Sequence, residues 1–193
     1  MNNTTETKII IAGFGGQGIV LVGNLIARGA LMEGKNVTGM VAYGAEMRGG
    51  TAYATVVVSD EEIACPFVEH PDAAIVLNRP SLEKFEPSVL SGGLVLANTS
   101  LVKRNLQRGD LSLIEVAATE IARELGNLKV ANIVALGAFI QHTKLLDADS
   151  IERAIGDLFS TKNPKFLPLN LAALKAGMER SRFVGPAVGG RRS

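Results

Sequence analysis

The densest group of chemically suggestive residues is a glycine-rich turn, Gly13-Phe14-Gly15-Gly16-Gln17-Gly18, between a short apolar run and a long apolar stretch. Gly13, Gly15 and Gly18 fit G-x-G-x-x-G, a spacing that lets a strand turn sharply into a helix. The first N–H groups of that helix then point outward as an anion site. A dinucleotide dehydrogenase would also need an acidic residue about 20 positions on, at the end of the second strand, to hold a ribose hydroxyl. None stands there, and Glu46 lies further along, inside a second glycine-rich loop. An ATP-binding loop would need Lys and Ser or Thr after Gly18, where this chain has Ile19-Val20. Three roles therefore stay open for Gly13, Gly15, Gly16, Gln17 and Gly18. They could pack a helix tightly on its strand, meet a phosphate or cofactor, or meet another subunit.

The second loop, Tyr43-Gly44-Ala45-Glu46-Met47-Arg48-Gly49-Gly50-Thr51, carries opposite charges two residues apart. One reading is a solvated loop. The other is a loop ordered by a partner subunit, because ordering glycine-rich backbone is entropically expensive and an Arg fork on a carboxylate or phosphate can offset it. Asn132, at the head of an apolar helix, reads as an N-cap residue. Cys65 precedes Pro66, and only His70 is near enough in sequence to activate it. His70 and His142 read as surface or helix-end residues. No catalytic residue and no metal ligand is expected in this chain.

Composition narrows the classes further. The 193 residues fit one domain, and 47% apolar content supplies a sizeable core. Twenty basic against nineteen acidic side chains give a net charge of +1. No bulk attraction to nucleic acid or membrane follows. One cysteine makes neither an internal disulfide nor an iron–sulfur cluster. No apolar run approaches the roughly 18 residues of a membrane span, and the N-terminus lacks a secretory pattern, so a cytoplasmic location is expected.

The elements that must position these residues follow from hydrophobic periodicity. Lys8–Ala12 reads as a buried strand and Ile19–Met32 as a helix apolar nearly all round, which points to burial beyond the one face a sheet covers. Further strands are expected at 36–42, 52–59, 73–77, 94–97 and 112–116. Helices are expected from Ser81, then at 117–125, 132–142, 149–159 and 169–182. Ala135, Gly137 and Ala138 would let another backbone approach closely. The alternation predicts an α/β, Rossmann-like single domain over 1–183, a mainly parallel sheet with helices on both faces, and a flexible tail at 184–193.

The segment Ile11–Gly18, the loop Tyr43–Thr51 and the segment Asn132–Ala138 together resemble the gamma subunit of 2-oxoacid:ferredoxin oxidoreductases, with 2-oxoglutarate synthase as the nearest branch and pyruvate and ketoisovalerate enzymes as relatives. The resemblance spans almost the whole chain. It implies a complex in which a 2-oxoacid is decarboxylated on thiamine diphosphate and magnesium, electrons pass through iron–sulfur clusters to ferredoxin, and coenzyme A takes the acyl group. Alpha, beta and ferredoxin-like delta subunits are the implied partners. This chain alone would bind none of those cofactors, since it lacks the cluster cysteines and the Gly-Asp-Gly plus Asn pattern that holds magnesium diphosphate. The implied site residues are Gly13, Gly15, Gly16, Gln17 and Gly18 toward a cofactor, and Tyr43, Glu46, Arg48, Gly49, Gly50, Thr51 and Asn132 toward neighbouring subunits. The isolated chain is expected to self-associate through its partner surface. Two other readings remain: a free-standing nucleotide-binding oxidoreductase and a binding protein for a small anionic ligand.

Overall fold

Ile9, Ile10 and Ile11 alternate between the two faces of one strand, and both faces are covered, which is why an unbroken apolar run is stable there. The computed structural model describes residues 6–43, 51–103 and 105–185. The strands are β1 (Thr7–Phe14), β2 (Asn36–Tyr43), β3 (Thr51–Ser59), β4 (Ala73–Val76), β5 (Leu94–Asn98), β6 (Ser112–Val116) and β7 (Arg182–Val184). The helices are α1 (Ile19–Met32), α2 (Arg79–Phe85), α3 (Ala118–Glu124), α4 (Ala131–Thr143), α5 (Ala148–Lys162) and α6 (Leu167–Glu179).

All seven strands form one sheet in the order β2-β3-β1-β4-β5-β6-β7. The parallel part expected from the sequence is its centre, β1, β4, β5 and β6. Both margins are antiparallel: β3 to β1 and β2, and β7 to β6. The sheet is therefore mixed, and the reason is chain length. Residues 44–50 are too few for a parallel crossover, which takes a dozen or more, so the chain after β2 must return antiparallel. That return inserts β3 between β1 and β2.

The two faces are unequally covered. One carries α1, α3, α4, α5 and α6 over Ile9, Ile11, Ile75, Leu96 and Ile114. The other carries α2 and the 99–111 segment over Ala74, Val76 and Val95. The buried Glu86 carboxylate accepts from the N–H groups of Gln107 and Arg108, pinning that segment. Arg108 in turn holds Asp110 by a hydrogen bond that lowers the Asp110 pKa to about 2.

The expected extra burial of α1 is met inside the chain. Its Gly23 faces Val56 of β3 on one side, and its Gly29 sits where a Cβ would come within 2.8 Å of Ile151 on α5. The small residues of α4 are likewise used internally. A Cβ on Gly137 would lie 2.0 Å from the Leu174 carbonyl oxygen of α6, and one on Gly177 would lie 1.9 Å from that of Val134.

Two boundaries differ from expectation. The last helix ends at Glu179, and Arg182–Val184, read as helix end and tail, forms β7. Arg182 pairs with Glu115 at 2.6 Å and Phe183 stacks on His142 at 6.0 Å, contacts between residues too far apart in sequence to read there. Among the described residues no helix is long and apolar enough to cross a membrane.

Candidate functional site

A cleft of about 270 Å³ opens at the carboxyl ends of β1, β4 and β5, where open α/β sheets place their ligands. Gly16, Gln17, Asn98, Thr119, Lys129 and Asn132 line it, with Leu101 and Leu128 exposed at its rim.

Its floor is built from side-chain amides that hold strand ends to helix starts. Gln17 Oε1 accepts from the Phe14 N–H at 2.7 Å and from Asn78 Nδ2 at 3.0 Å. Asn78 caps α2 by accepting the Ser81 N–H at 2.9 Å. Asn98 Nδ2 donates to the Leu77 carbonyl at 3.2 Å and to Thr119 Oγ1 at 2.9 Å, tying β5 to β4 and α3. Asn132 Nδ2 donates 3.1 Å to the Gly18 carbonyl, joining the starts of α4 and α1. These amides leave the Gln17 Nε2 donors uncommitted among the described residues.

The electrostatics favour an anion. Neither α1 nor α4 has a side-chain cap, and neither carries an acidic residue in its first turn. Both begin at this cleft, with Lys129 beside them. The positive dipole ends of two helices thus face one concavity, with the Ala131 N–H of α4 donating to the Leu128 carbonyl and its Ile133 N–H to Asn132 Oδ1 at 2.9 Å.

The glycines of the turn answer to different constraints. A Cβ on Gly13 would lie 2.7 Å from Gln17 Oε1, so the folded-back amide requires glycine there. Gly18 has φ +74°, and a Cβ would fall 2.2 Å from Asn132 Nδ2. Gly16 has φ +89°. Gly15 is exposed, with nothing among the described residues within 4 Å of a built Cβ.

Among the other predicted positions, Asn132 is not the N-cap of α4. Val130 holds that place, because a 3₁₀ turn at Leu128–Val130 runs directly into the helix. Asn132 is 2% exposed and faces inward on Gly18. Thr51 opens β3 directly opposite Phe14, and Tyr43 closes β2 opposite Ala52. Glu46, Arg48, Gly49 and Gly50 lie outside the described residues. The Ile11–Gly18 and Asn132–Ala138 segments thus meet at the end of β1, together with Thr51, the last residue of the second loop. Cys65 is exposed. His142, at the opposite end of α4 from the cleft, has its Nε2 3.0 Å from Ser181 Oγ.

Reading the sequence did not single out Asn78, Asn98, Thr119 or Lys129 for the site. The available signal was an asparagine directly ending each of two apolar strand runs, Ala73–Leu77 and Leu94–Ala97. Thr119 and Lys129 carry no such mark.

The order of strands bears on the dinucleotide alternative. With β3 between β1 and β2, the end of β2 is not beside the turn, so the position that would hold a ribose hydroxyl is displaced by a strand's width.

Similarity to known proteins is extensive. The profile of the family described as pyruvate ferredoxin/flavodoxin oxidoreductase matches residues 8–180. The chain is 38% identical over 178 residues to ketoisovalerate oxidoreductase subunit VorA of Methanothermobacter thermautotrophicus. That match covers 92% of this chain and 37% of VorA, so the chain spans little more than a third of that relative. It is 38% identical over 153 residues to 2-oxoglutarate synthase subunit KorC of Methanocaldococcus jannaschii, covering 78% of this chain and 82% of KorC. Among solved structures, the gamma subunit of keto/oxoacid ferredoxin oxidoreductase from Geobacter sulfurreducens superposes with a TM-score of 0.80 at 29% identity, over 91% of this chain and 95% of that one.

Proposed function

The chain belongs to the pyruvate ferredoxin/flavodoxin oxidoreductase family, and from that premise we propose that it is the non-catalytic gamma subunit of a cytoplasmic 2-oxoacid:ferredoxin oxidoreductase. The complex would convert a 2-oxoacid and coenzyme A to carbon dioxide and an acyl-CoA, with the electrons passed to ferredoxin. The match to KorC, most of whose length this chain covers, favours 2-oxoglutarate as the acid. Alpha, beta and ferredoxin-like delta subunits would supply the remaining parts.

The observation that carries this reading is the convergence of the N-terminal ends of two helices, Lys129 and an amide floor on one cleft rimmed by exposed leucines. Such a cleft suits a phosphate group. When bound to the complex, thiamine diphosphate and coenzyme A supply the carbanion and acyl-acceptor chemistry. This chain's part is to hold and orient. The leading N–H groups of α1 and the positive end of α4 attract negative charge, Gln17 presents donors, and Asn98 and Asn132 fix the elements that carry them. Gly15 fits the same reading: nothing among the described residues needs a glycine there, whereas a cofactor or neighbouring subunit approaching the turn would. Iron–sulfur clusters do not fit, because one exposed cysteine cannot ligate them.

The test is the composition of the native assembly. Tagged chain recovered from its own cells is expected to bring down larger subunits carrying thiamine diphosphate and iron–sulfur clusters, while the isolated chain shows no 2-oxoacid turnover. Turnover by the isolated chain, or stoichiometric NAD(P) binding to it, would overturn the reading.

A further inference from the structure

The two edges of the sheet are treated differently. At one, β7 is three residues long and carries Arg182, paired with Glu115. Short length and charge are the usual protections of an edge strand. At the other, β2 runs eight residues, Asn-Val-Thr-Gly-Met-Val-Ala-Tyr, without a charge, a proline or a break in its register with β3. A strand so regular on its inner side offers an equally regular row of N–H and C=O groups outward. Cover above and below it is incomplete among the described residues. Met40 and Val41 point to opposite faces, and they are 44% and 45% exposed.

We infer that β2 is a self-pairing edge, on which a second copy of this chain adds its own β2 antiparallel to make one continuous sheet across a two-fold axis. An open edge selects an extended strand as its occupant, because only a strand returns N–H and C=O groups at matching intervals. The strand's own sequence suits itself as that occupant. Antiparallel pairing about an axis normal to the sheet keeps each face continuous, so residues of like parity meet. Centred on Gly39, it sets Val37 opposite the second copy's Val41 and Thr38 opposite the second copy's Met40. No like charges oppose one another, the usual obstacle to self-pairing.

The same axis keeps both α1 helices on one face and reverses their direction. Leu31 and Met32, exposed at the end of α1 and only a few residues before β2, then come to the side of the second copy's Val41. The seven residues this register pairs, 36–42, span about 24 Å. With these apolar side chains the contact sits at the small end of specific interfaces, so the dimer is reversible. This inference rests on the β2 edge and is independent of what the cleft binds.

Sedimentation of the purified full chain from about 1 to 100 µM, where small interfaces dissociate, is expected to move from monomer to dimer. Val41→Lys should raise the dissociation constant at least tenfold with an unchanged melting curve. Amide hydrogen exchange within residues 37–41 of the wild type should slow as concentration rises, a readout that stands even if the variant folds poorly. A wild type monomeric throughout would overturn the inference, as would a Val41→Lys chain that dimerises like it. Protection of β2 amides that appears only when other subunits are added would also overturn it, assigning the edge to a strand of theirs.

Discussion

Gly15 and Gly18 stand three positions apart in one turn and separate two kinds of requirement. An alanine at 18 must hold a left-handed backbone and displace the Asn132 amide, so Gly18→Ala should cost about 2 kcal/mol or more in urea unfolding. Asn132→Ala, which removes the same tether from the other side, should cost about 1–3 kcal/mol, and the double variant less than the sum. Gly15→Ala should leave stability within about 0.5 kcal/mol. In the assembled complex it should nonetheless lower activity by about tenfold, the equivalent of one lost contact of about 1.4 kcal/mol. Equal activity of the Gly15→Ala complex would remove that residue from the site. His142 gives the pH test. Burial, helped by nearby Lys144, lowers its pKa below the ordinary value of 6.5. The unfolded chain therefore takes up the proton first, so stability attributable to His142 is complete above about pH 6.5 and declines as pH falls below it. His142→Gln should flatten the decline in urea midpoint between about pH 6.5 and 5 relative to wild type.

At the scale of elements, the sequence disclosed what is periodic and concealed what depends on neighbours. β1, β4, β5, β6 and the six helices follow from apolar runs and their spacing, and the glycine turn lies between strand and helix as its spacing requires. The interposition of β3 was not legible, since the pairing partner of a strand is not written in its own pattern. β7 was hidden for the same reason: three residues make no period, and its hold comes from Glu115 and His142. Ala135, Gly137 and Ala138 signalled a close approach correctly, but the sequence could not say that the approaching backbone is α6. Alanine at 177 must push α4 from α6, because its Cβ would lie 1.9 Å from the Val134 carbonyl. Gly177→Ala should therefore cost about 3 kcal/mol. Gly156, inside α5 with open space around it, is the control. Gly156→Ala should stabilise by about 0.5–1 kcal/mol through helix propensity alone. Similar losses at both positions would mean that the α4–α6 contact is not as close as described.

At the scale of the molecule, part of the exposed apolar surface lies beside the cleft. Most of the chain's apolar residues fill one large core, but Phe14, Leu101 and Leu128 are left exposed around the end of the sheet that carries the cleft. Leu128 is the sharpest case, 54% exposed on the turn that leads into α4. Its side chain adds little to folding, because most of it is already in water. A charge placed there should therefore leave the isolated chain's unfolding curve unchanged within about 0.5 kcal/mol. In the assembly the same charge would have to be desolvated against a covering subunit, which is costly without a partner ion. Leu128→Glu should reduce recovery of partner subunits by at least about tenfold, the equivalent of roughly 1.4 kcal/mol. Leu90→Glu makes the comparison, since Leu90 is 43% exposed at the opposite, amino end of the parallel strands and should leave recovery unaffected. If both variants lose partners equally, the covering subunit wraps the molecule broadly. If neither does, the cleft faces solvent in the complex and its ligand must be held by this chain alone.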